Sequence, residues 1–257
     1  MIQISPVFFA LGPVCIRWYG LMAALGLVAA YVVLLKRSKK YSFTSNDVSD
    51  MIFWIVLAGF VGARLLYVIR YWNDIFRNDF MEIFRVYNGG LVFLGGLGMS
   101  ILAGLLLARI RKWDLGKMTD FIAPSLPIGH AFGRMGCLLN GCCYGFHYEG
   151  PFSFKYEYSL FPSFPLQGIA FLVNLALGAL ILFLEKREKF NNRRFLLYML
   201  LYCVLRFTLE FGRGDYPKEQ LLWGLTPAQV TCVWLFPLVA LIWIGLNYIS
   251  WKKKKSK

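Results

Sequence analysis

The sequence VCIRWYGLMAALGLVAAYVVLL, residues 14–35, followed at once by KRSKK, residues 36–40, decides the fold. A long apolar run carries a single charge, Arg17, and then four bases arrive together: Lys36, Arg37, Lys39 and Lys40. A bilayer core of about 30 Å takes about 20 apolar residues in helical form. Lysine and arginine collect on the cytoplasmic side because they resist translocation. The stretch therefore predicts a helix that starts outside and ends in the cytoplasm. It lacks a basic region before it and outruns a signal-peptide core, so it is expected to stay as an anchor.

The same pattern recurs along the chain. Apolar runs at 48–69, 90–108, 121–139, 166–184, 195–211 and 227–248 predict, with the first, seven transmembrane helices in one all-α polytopic membrane domain spanning 1–257. Composition agrees, with 58% hydrophobic, 18% aromatic and only 16% charged residues; ordinary soluble domains carry about 25% charged residues. A formal charge of +14 raises the question of nucleic acid. The bases, however, sit in short clusters between apolar runs, which reads as topology, and no nucleic-acid partner is expected.

Those clusters alternate. Lys36 to Lys40, Arg109 to Lys117, Lys186 to Arg194 and Lys252 to Lys257 fall on one side, while the other side holds only Arg70, Arg77, Arg85, Lys155, Arg213 and Lys218. An odd number of spans with the N-terminus outside and a basic cytoplasmic tail at 250–257 satisfies the alternation; residues 141–165 then form an external loop.

Four arginines remain in or at the edge of the spans: Arg17, Arg64, Arg134 and Arg206. Arginine at the centre of a spanning helix costs roughly 2.5 to 3.5 kcal/mol even on the lenient insertion scale, so each asks for a reason. Arg17, beside Trp18 and Tyr19, is expected to reach the interface. The other three fall in the outer halves of their helices. Glu210 follows Arg206 by four residues and shares its face, and Arg213 continues that face. Guanidinium forks suit phosphate oxygens, so several arginines in one leaflet point to an anionic phospholipid head group.

Two further stretches stand out. NGGLVFLGGLG, residues 88–98, carries two glycine pairs that read as close helix packing. GHAFGRMGCLLNGCCYG, residues 129–145, sets His130, Arg134 and Cys137 on one helix face, with Asn140, Cys142 and Cys143 at its exit and His147 beyond. The cysteines admit several readings. A metal site is disfavoured because no second, distant pair exists, so neither metal nor cofactor is expected. A disulfide is permitted outside, and a free thiol beside Arg134 would have a lowered pKa.

The chain resembles the bacterial prolipoprotein diacylglyceryl transferases. The resemblance rests on Arg17-Trp-Tyr-Gly-Leu-Met22, Gly62-Ala-Arg64, the glycines from Gly89 to Gly96, Asp120-Phe-Ile-Ala-Pro124, Gly133-Arg134-Met-Gly136 with Asn140-Gly141, Pro165 with Gln167, and Tyr202, Arg206, Glu210 and Arg213 at their spacing. It implies a seven-span enzyme of the bacterial cytoplasmic membrane, facing the outer leaflet. Such an enzyme moves the diacylglyceryl group of phosphatidylglycerol to the lipobox cysteine of a prolipoprotein precursor and releases glycerol 1-phosphate. Phosphatidylglycerol would be held by Arg134, Arg206, Arg64, Tyr19, Asn140 and Arg213, with catalysis carried by Arg134, Arg206, Glu210 and Cys142.

Three departures from the family pattern bear on the acceptor. Leu94 stands where members commonly carry His, and Cys137 and Cys142 stand where they carry Asn and Glu; the loop 144–165 is also short. A base, if required, falls to His130, His147 or Cys142. The alternatives are a relative using the same lipid with another acceptor, and a lipid-binding scaffold or transporter, which the outer-leaflet position disfavours.

Overall fold

A computed structural model describes residues 2–11, 14–77, 79–86, 89–156, 161–216 and 221–255. Asn88, Lys218 and Lys257 fall outside them. The described chain is mainly helical. Its helices are α1 (Trp18–Arg37), α2 (Ser45–Arg70), α3 (Phe93–Ile110), α4 (Leu115–Ile122), α5 (Ser125–Asn140), α6 (Leu166–Lys186), α7 (Arg194–Glu210) and α8 (Pro227–Lys255). Four short strands, β1 (Ile2–Ile4), β2 (Val7–Leu11), β3 (Val14–Arg17) and β4 (Phe154–Tyr156), make two two-stranded pairs.

Five helices, over Trp18–Tyr41, Ser45–Arg70, Phe93–Ile110, Leu166–Lys186 and Pro227–Ile249, are long and apolar enough to cross a membrane. Their outward faces are apolar: Trp234 is 69% and Leu241 67% exposed, whereas Glu210 and Gln229 are only 3% and 2% exposed. A water-soluble chain would reverse that arrangement. The molecule is an all-α polytopic membrane protein in its architecture.

Two expected spans differ from the observed elements. The helix foreseen from residue 14 begins at Trp18, because Val14–Arg17 pairs antiparallel with Val7–Leu11, Leu11 facing Val14 and Val7 facing Arg17. A short run such as Val14-Cys-Ile-Arg17, with three apolar residues, fits strand and helix equally, and a partner strand decides it. The single helix foreseen at 121–139 is two helices, α4 and α5, interrupted at Ala123 and Pro124. Pro124 has no N–H to donate and crowds the residue before it, while Pro127 sits in the first turn of α5, where a missing N–H costs nothing.

The chain separates into two compact units, residues 34–118 and residues 1–33 with 119–257. In the first unit, α2 lies against α3 at glycine contacts. A Cβ on Gly95 would stand 2.4 Å from the Gly62 carbonyl oxygen, and one on Gly62 would stand 2.5 Å from that of Gly95. Ser100 Oγ donates to the Ile55 carbonyl at 2.9 Å across the same contact. The glycine pairs of the sequence are thus the α2–α3 seam.

In the second unit, α6 packs on α5 through Gly178, where a Cβ would meet Ile128 at 2.8 Å. Residues Trp18 to Val33 of α1 approach α5 at Gly26, whose Cβ would stand 2.9 Å from the Gly129 oxygen. Buried Asp120 accepts from the Phe195 backbone N–H at 3.2 Å and faces Arg194 at 3.6 Å. A carboxylate at a helix N-terminus meets unsatisfied N–H groups and the positive end of the dipole, so Asp120 anchors the start of α7. Residues 144–148 hydrogen-bond to 162–164 and 212–214, Gly145 N to Phe164 O at 3.0 Å and Phe146 N to Gly212 O at 3.1 Å. The loop expected at 141–165 is therefore ordered against the end of α7 over its described part.

Candidate functional site: an arginine pocket beside a cysteine triad

The site lies in the unit made of residues 1–33 and 119–257. Arg134 from α5 and Arg206 from α7 line one pocket, together with His130, Asn174 and Tyr202. Ala170, Val173, Leu205 and Leu209 make its apolar wall. Two guanidiniums in one small, largely apolar space repel each other, and an anion between them removes that cost.

The two cations are compensated differently. Arg206 pairs with Glu210 at 2.8 Å, as the four-residue spacing requires, but Glu210 also accepts from Arg213 at 2.8 Å and from the Thr226 hydroxyl at 3.1 Å. One buried carboxylate therefore serves two guanidiniums. Arg134 pairs with no carboxylate among the described residues; its Nε–H donates to His130 Nε2 at 3.0 Å. His130 is thus an acceptor at that nitrogen and aims Arg134.

Beyond Glu210 the chain of charges continues. Arg213 grips Asp215 with two hydrogen bonds, 2.9 and 3.0 Å, and Asp215 accepts from the backbone N–H of Cys143 at 3.0 Å. Burial alone would depress the Arg213 pKa; the hydrogen bond to Asp215 and the surrounding negative charge carry it upward, so the cation persists. The path Arg206, Glu210, Arg213, Asp215, Cys143 ties the pocket to the cysteine loop.

Cys137, Cys142, Cys143, Cys203 and Cys232 are free thiols, and the first three bring their sulfur atoms within 4.8 Å of one another. Cys142 Sγ lies 3.9 Å from the Cys137 carbonyl. Hydrogen bonds from Cys137 and Cys142, with the charges of Arg213 and Arg134, hold the Cys143 thiol below its ordinary pKa against burial. Gln167, 1% exposed, donates to the Cys142 carbonyl at 2.9 Å.

The remaining expected residues divide. Tyr19 packs on Gly136 of α5, its ring carbon 3.3 Å from where a Cβ would stand. His147 is exposed and lies 3.4 Å from Glu149, and it does not line the pocket. Leu94, in the other unit, is 70% exposed. Arg64 is also in that unit, where it donates to main-chain carbonyls of Glu82, of Ile83 at 3.0 Å, of Gly89 at 2.6 Å and of Gly90 at 3.1 Å.

Sequence reasoning missed Asn174, Asp215 and Thr226, and left Tyr202 without a role. Thr226 carried a usable signal, since Thr-Pro-x-Gln before an apolar run marks a helix N-terminus. Gln229 N donates to Thr226 Oγ1 at 3.3 Å, and Thr226 N donates to Gln229 Oε1 at 3.0 Å.

A family model described as prolipoprotein diacylglyceryl transferase matches residues 6–245. The phosphatidylglycerol–prolipoprotein diacylglyceryl transferase of Clostridium tetani is 34% identical over 82% of this chain and 86% of its own length. The enzymes of the same name from Geobacter sulfurreducens and Pseudomonas paraeruginosa are 31% and 33% identical, covering 93% and 98% of this chain and 93% and 95% of theirs. With motif, pocket and near full-length similarity in agreement, this chain belongs to the prolipoprotein diacylglyceryl transferase family.

Proposed function

We propose that this protein transfers the diacylglyceryl group of phosphatidylglycerol to the cysteine thiol of a prolipoprotein, releasing glycerol 1-phosphate. The observation that carries the reading is the pairing of Arg134 and Arg206 in one pocket wall, with Arg134 facing neutral His130 in place of a carboxylate. A phosphodiester brings one negative charge, and cleavage of its carbon–oxygen bond leaves a phosphate monoester with a second. Guanidiniums already in place stabilise that developing charge more than the starting one, which is the condition for catalysis.

In this reading Arg134 binds the phosphate and Arg206 completes the clamp. Glu210 holds Arg206 and Arg213, Tyr19 and Asn140 shape the pocket, and the apolar wall takes the glyceryl and acyl carbons. Arg64 serves by holding the carbonyls of Glu82, Ile83, Gly89 and Gly90. The protein would span the bacterial cytoplasmic membrane seven times, α4 with α5 and α7 adding two crossings to the five long helices. Its N-terminus would be outside, its basic C-terminal end in the cytoplasm and its pocket open to the outer leaflet. The basic-residue alternation supports that orientation.

Purified protein incubated with phosphatidylglycerol and a lipobox peptide is expected to release glycerol phosphate and form a thioether-linked peptide. No release with any thiol acceptor would remove the reading. Leu94, Cys137 and Cys142 favour a second one, the same lipid donor with a different acceptor. It predicts phosphatidylglycerol-dependent release with another thiol acceptor but none with the lipobox peptide.

A further inference from the structure

We propose that Cys137, Cys142 and Cys143 form a three-thiolate site for a thiophilic divalent ion of the zinc class, whose open fourth position takes the sulfur of the acceptor cysteine. The acceptor half of this proposal rests on the transfer reaction above; the metal half does not.

The geometry comes first. Thiolates about 2.3 Å from a tetrahedral zinc stand about 3.8 Å apart, and the three sulfurs here already lie within 4.8 Å of one another. Consecutive side chains ordinarily diverge, yet Cys142 and Cys143 both reach Cys137. Left-handed backbone at Gly141 (φ 74°) and at Cys143 (φ 60°) brackets Cys142 where the chain turns back. Glycine adopts that conformation freely and cysteine does not, so the convergence is held by its surroundings. Asp215 holds the Cys143 N–H at 3.0 Å and Gln167 the Cys142 carbonyl at 2.9 Å. Outer hydrogen bonds of this kind orient the ligands of metal sites.

The donor set comes next. Three soft thiolates select zinc-like ions over magnesium or calcium. Three protein ligands without a second cysteine pair describe an open site, the pattern of catalytic zinc, whereas structural zinc is closed by four. An ion with two positive charges and three thiolates carries one net negative charge. Arg134, one helical turn before Cys137, and Arg213, joined to Cys143 through Asp215, offset it.

The chemistry supplies what the pocket lacks. The acceptor must attack as thiolate, while the pocket's histidine, His130, already accepts from Arg134 at 3.0 Å. A thiol that coordinates such an ion loses its proton outright. In the step, the acceptor S–H proton passes to solvent and the ion-bound sulfur forms a C–S bond to the glyceryl carbon. The C–O bond to phosphorus breaks with its electron pair on the phosphate oxygen, held by Arg134 and Arg206. Nothing is oxidised or reduced.

The test uses full-length, reduced, metal-stripped protein in detergent, with Co²⁺ as the spectroscopic probe. One Co²⁺ per chain should bind with a sulfur-to-cobalt charge-transfer band and tetrahedral visible bands. Cys137→Ser, Cys142→Ser and Cys143→Ser should each weaken binding at least tenfold. The double variant Cys137→Asn with Cys142→Glu, which leaves Cys143 as the one thiol of the three, should abolish the band. A lipobox peptide should shift the visible bands, and its Cys→Ser analogue should not. Reduced wild-type protein that shows no charge-transfer band overturns the site. A band indifferent to the lipobox thiol overturns the open fourth position. Full lipobox turnover by metal-free protein overturns the role while sparing the transferase reading, and a thiol-sensitive band without lipid turnover does the reverse.

Discussion

Arg64 and Arg134 enter the sequence as equals, each a lone arginine in an apolar run, yet their environments are opposites. Arg64 is 8% exposed, spends its guanidinium on four backbone carbonyls between Glu82 and Gly90, and lies 5.5 Å from the Tyr67 ring and 5.6 Å from that of Phe76. Arg134 makes its hydrogen bond to a neutral histidine and borders a pocket that also holds Arg206. The first charge is consumed in holding a segment of chain. The second is left available to an anion. An arginine in a hydrophobic helix is therefore not one signal but two, told apart by what its N–H groups already hold.

The sharpest way to break that contrast is to remove the available charge. Arg134→Ala should cost about 3 to 4 kcal/mol of transition-state stabilisation, a loss of about 150- to 900-fold in phosphatidylglycerol turnover, with little change in thermal unfolding. Loss of stability without loss of turnover would put Arg134 in the same class as Arg64.

Next in size is Glu210→Gln, which leaves Arg206 and Arg213 against a neutral amide. Breaking a buried pair by removing one partner costs about 3 kcal/mol or more, so both the unfolding temperature and turnover should fall. The conservative Glu210→Asp should recover part of the stability but less of the turnover, because the shorter chain draws Arg206 away from the pocket.

Arg64→Lys keeps the charge and removes the planar fork. A point charge cannot serve four carbonyls at once, and unmade hydrogen bonds to buried groups cost about 1 to 3 kcal/mol. Unfolding in detergent should shift by that order, and hydrogen exchange should quicken over 82–86 and 89–92, with a smaller effect on the KM for lipid than Arg134→Lys produces. A larger KM effect from Arg64→Lys would make it a binding residue and dissolve the contrast.

The smallest effect expected is that of Thr226→Ala, which removes the cap of α8 and one hydrogen bond to Glu210, about 1 kcal/mol. Thermal unfolding should register it, and turnover should fall less than for Glu210→Asp.

Much of this was legible in the residues. The expected span 166–184 lies inside Leu166–Lys186, which is long and apolar enough to cross a membrane, and the run 195–211 is helical to within one residue at each end, as Arg194–Glu210, though shorter than the five long helices, because apolar run length is a property of contiguous chain. The pairing of Arg206 with Glu210 followed from four-residue spacing, since both lie on one helix. What failed was whatever depended on a distant partner. Residues 14–17 became a strand because residues 7–11 were there to pair with them. Arg64 found its carbonyls 18 to 26 residues onward, and Glu210 its threonine 16 residues onward.

The sequence by itself determined that this is a helical membrane protein with several arginines inside its apolar runs, because hydrophobic length and helical period are local quantities. The tertiary structure alone decided which arginine stays available and that three thiols meet. A charge is spent or spared by the groups folded around it, and a left-handed turn at Cys143, clamped by Asp215 from 72 residues away, is invisible to any spacing rule.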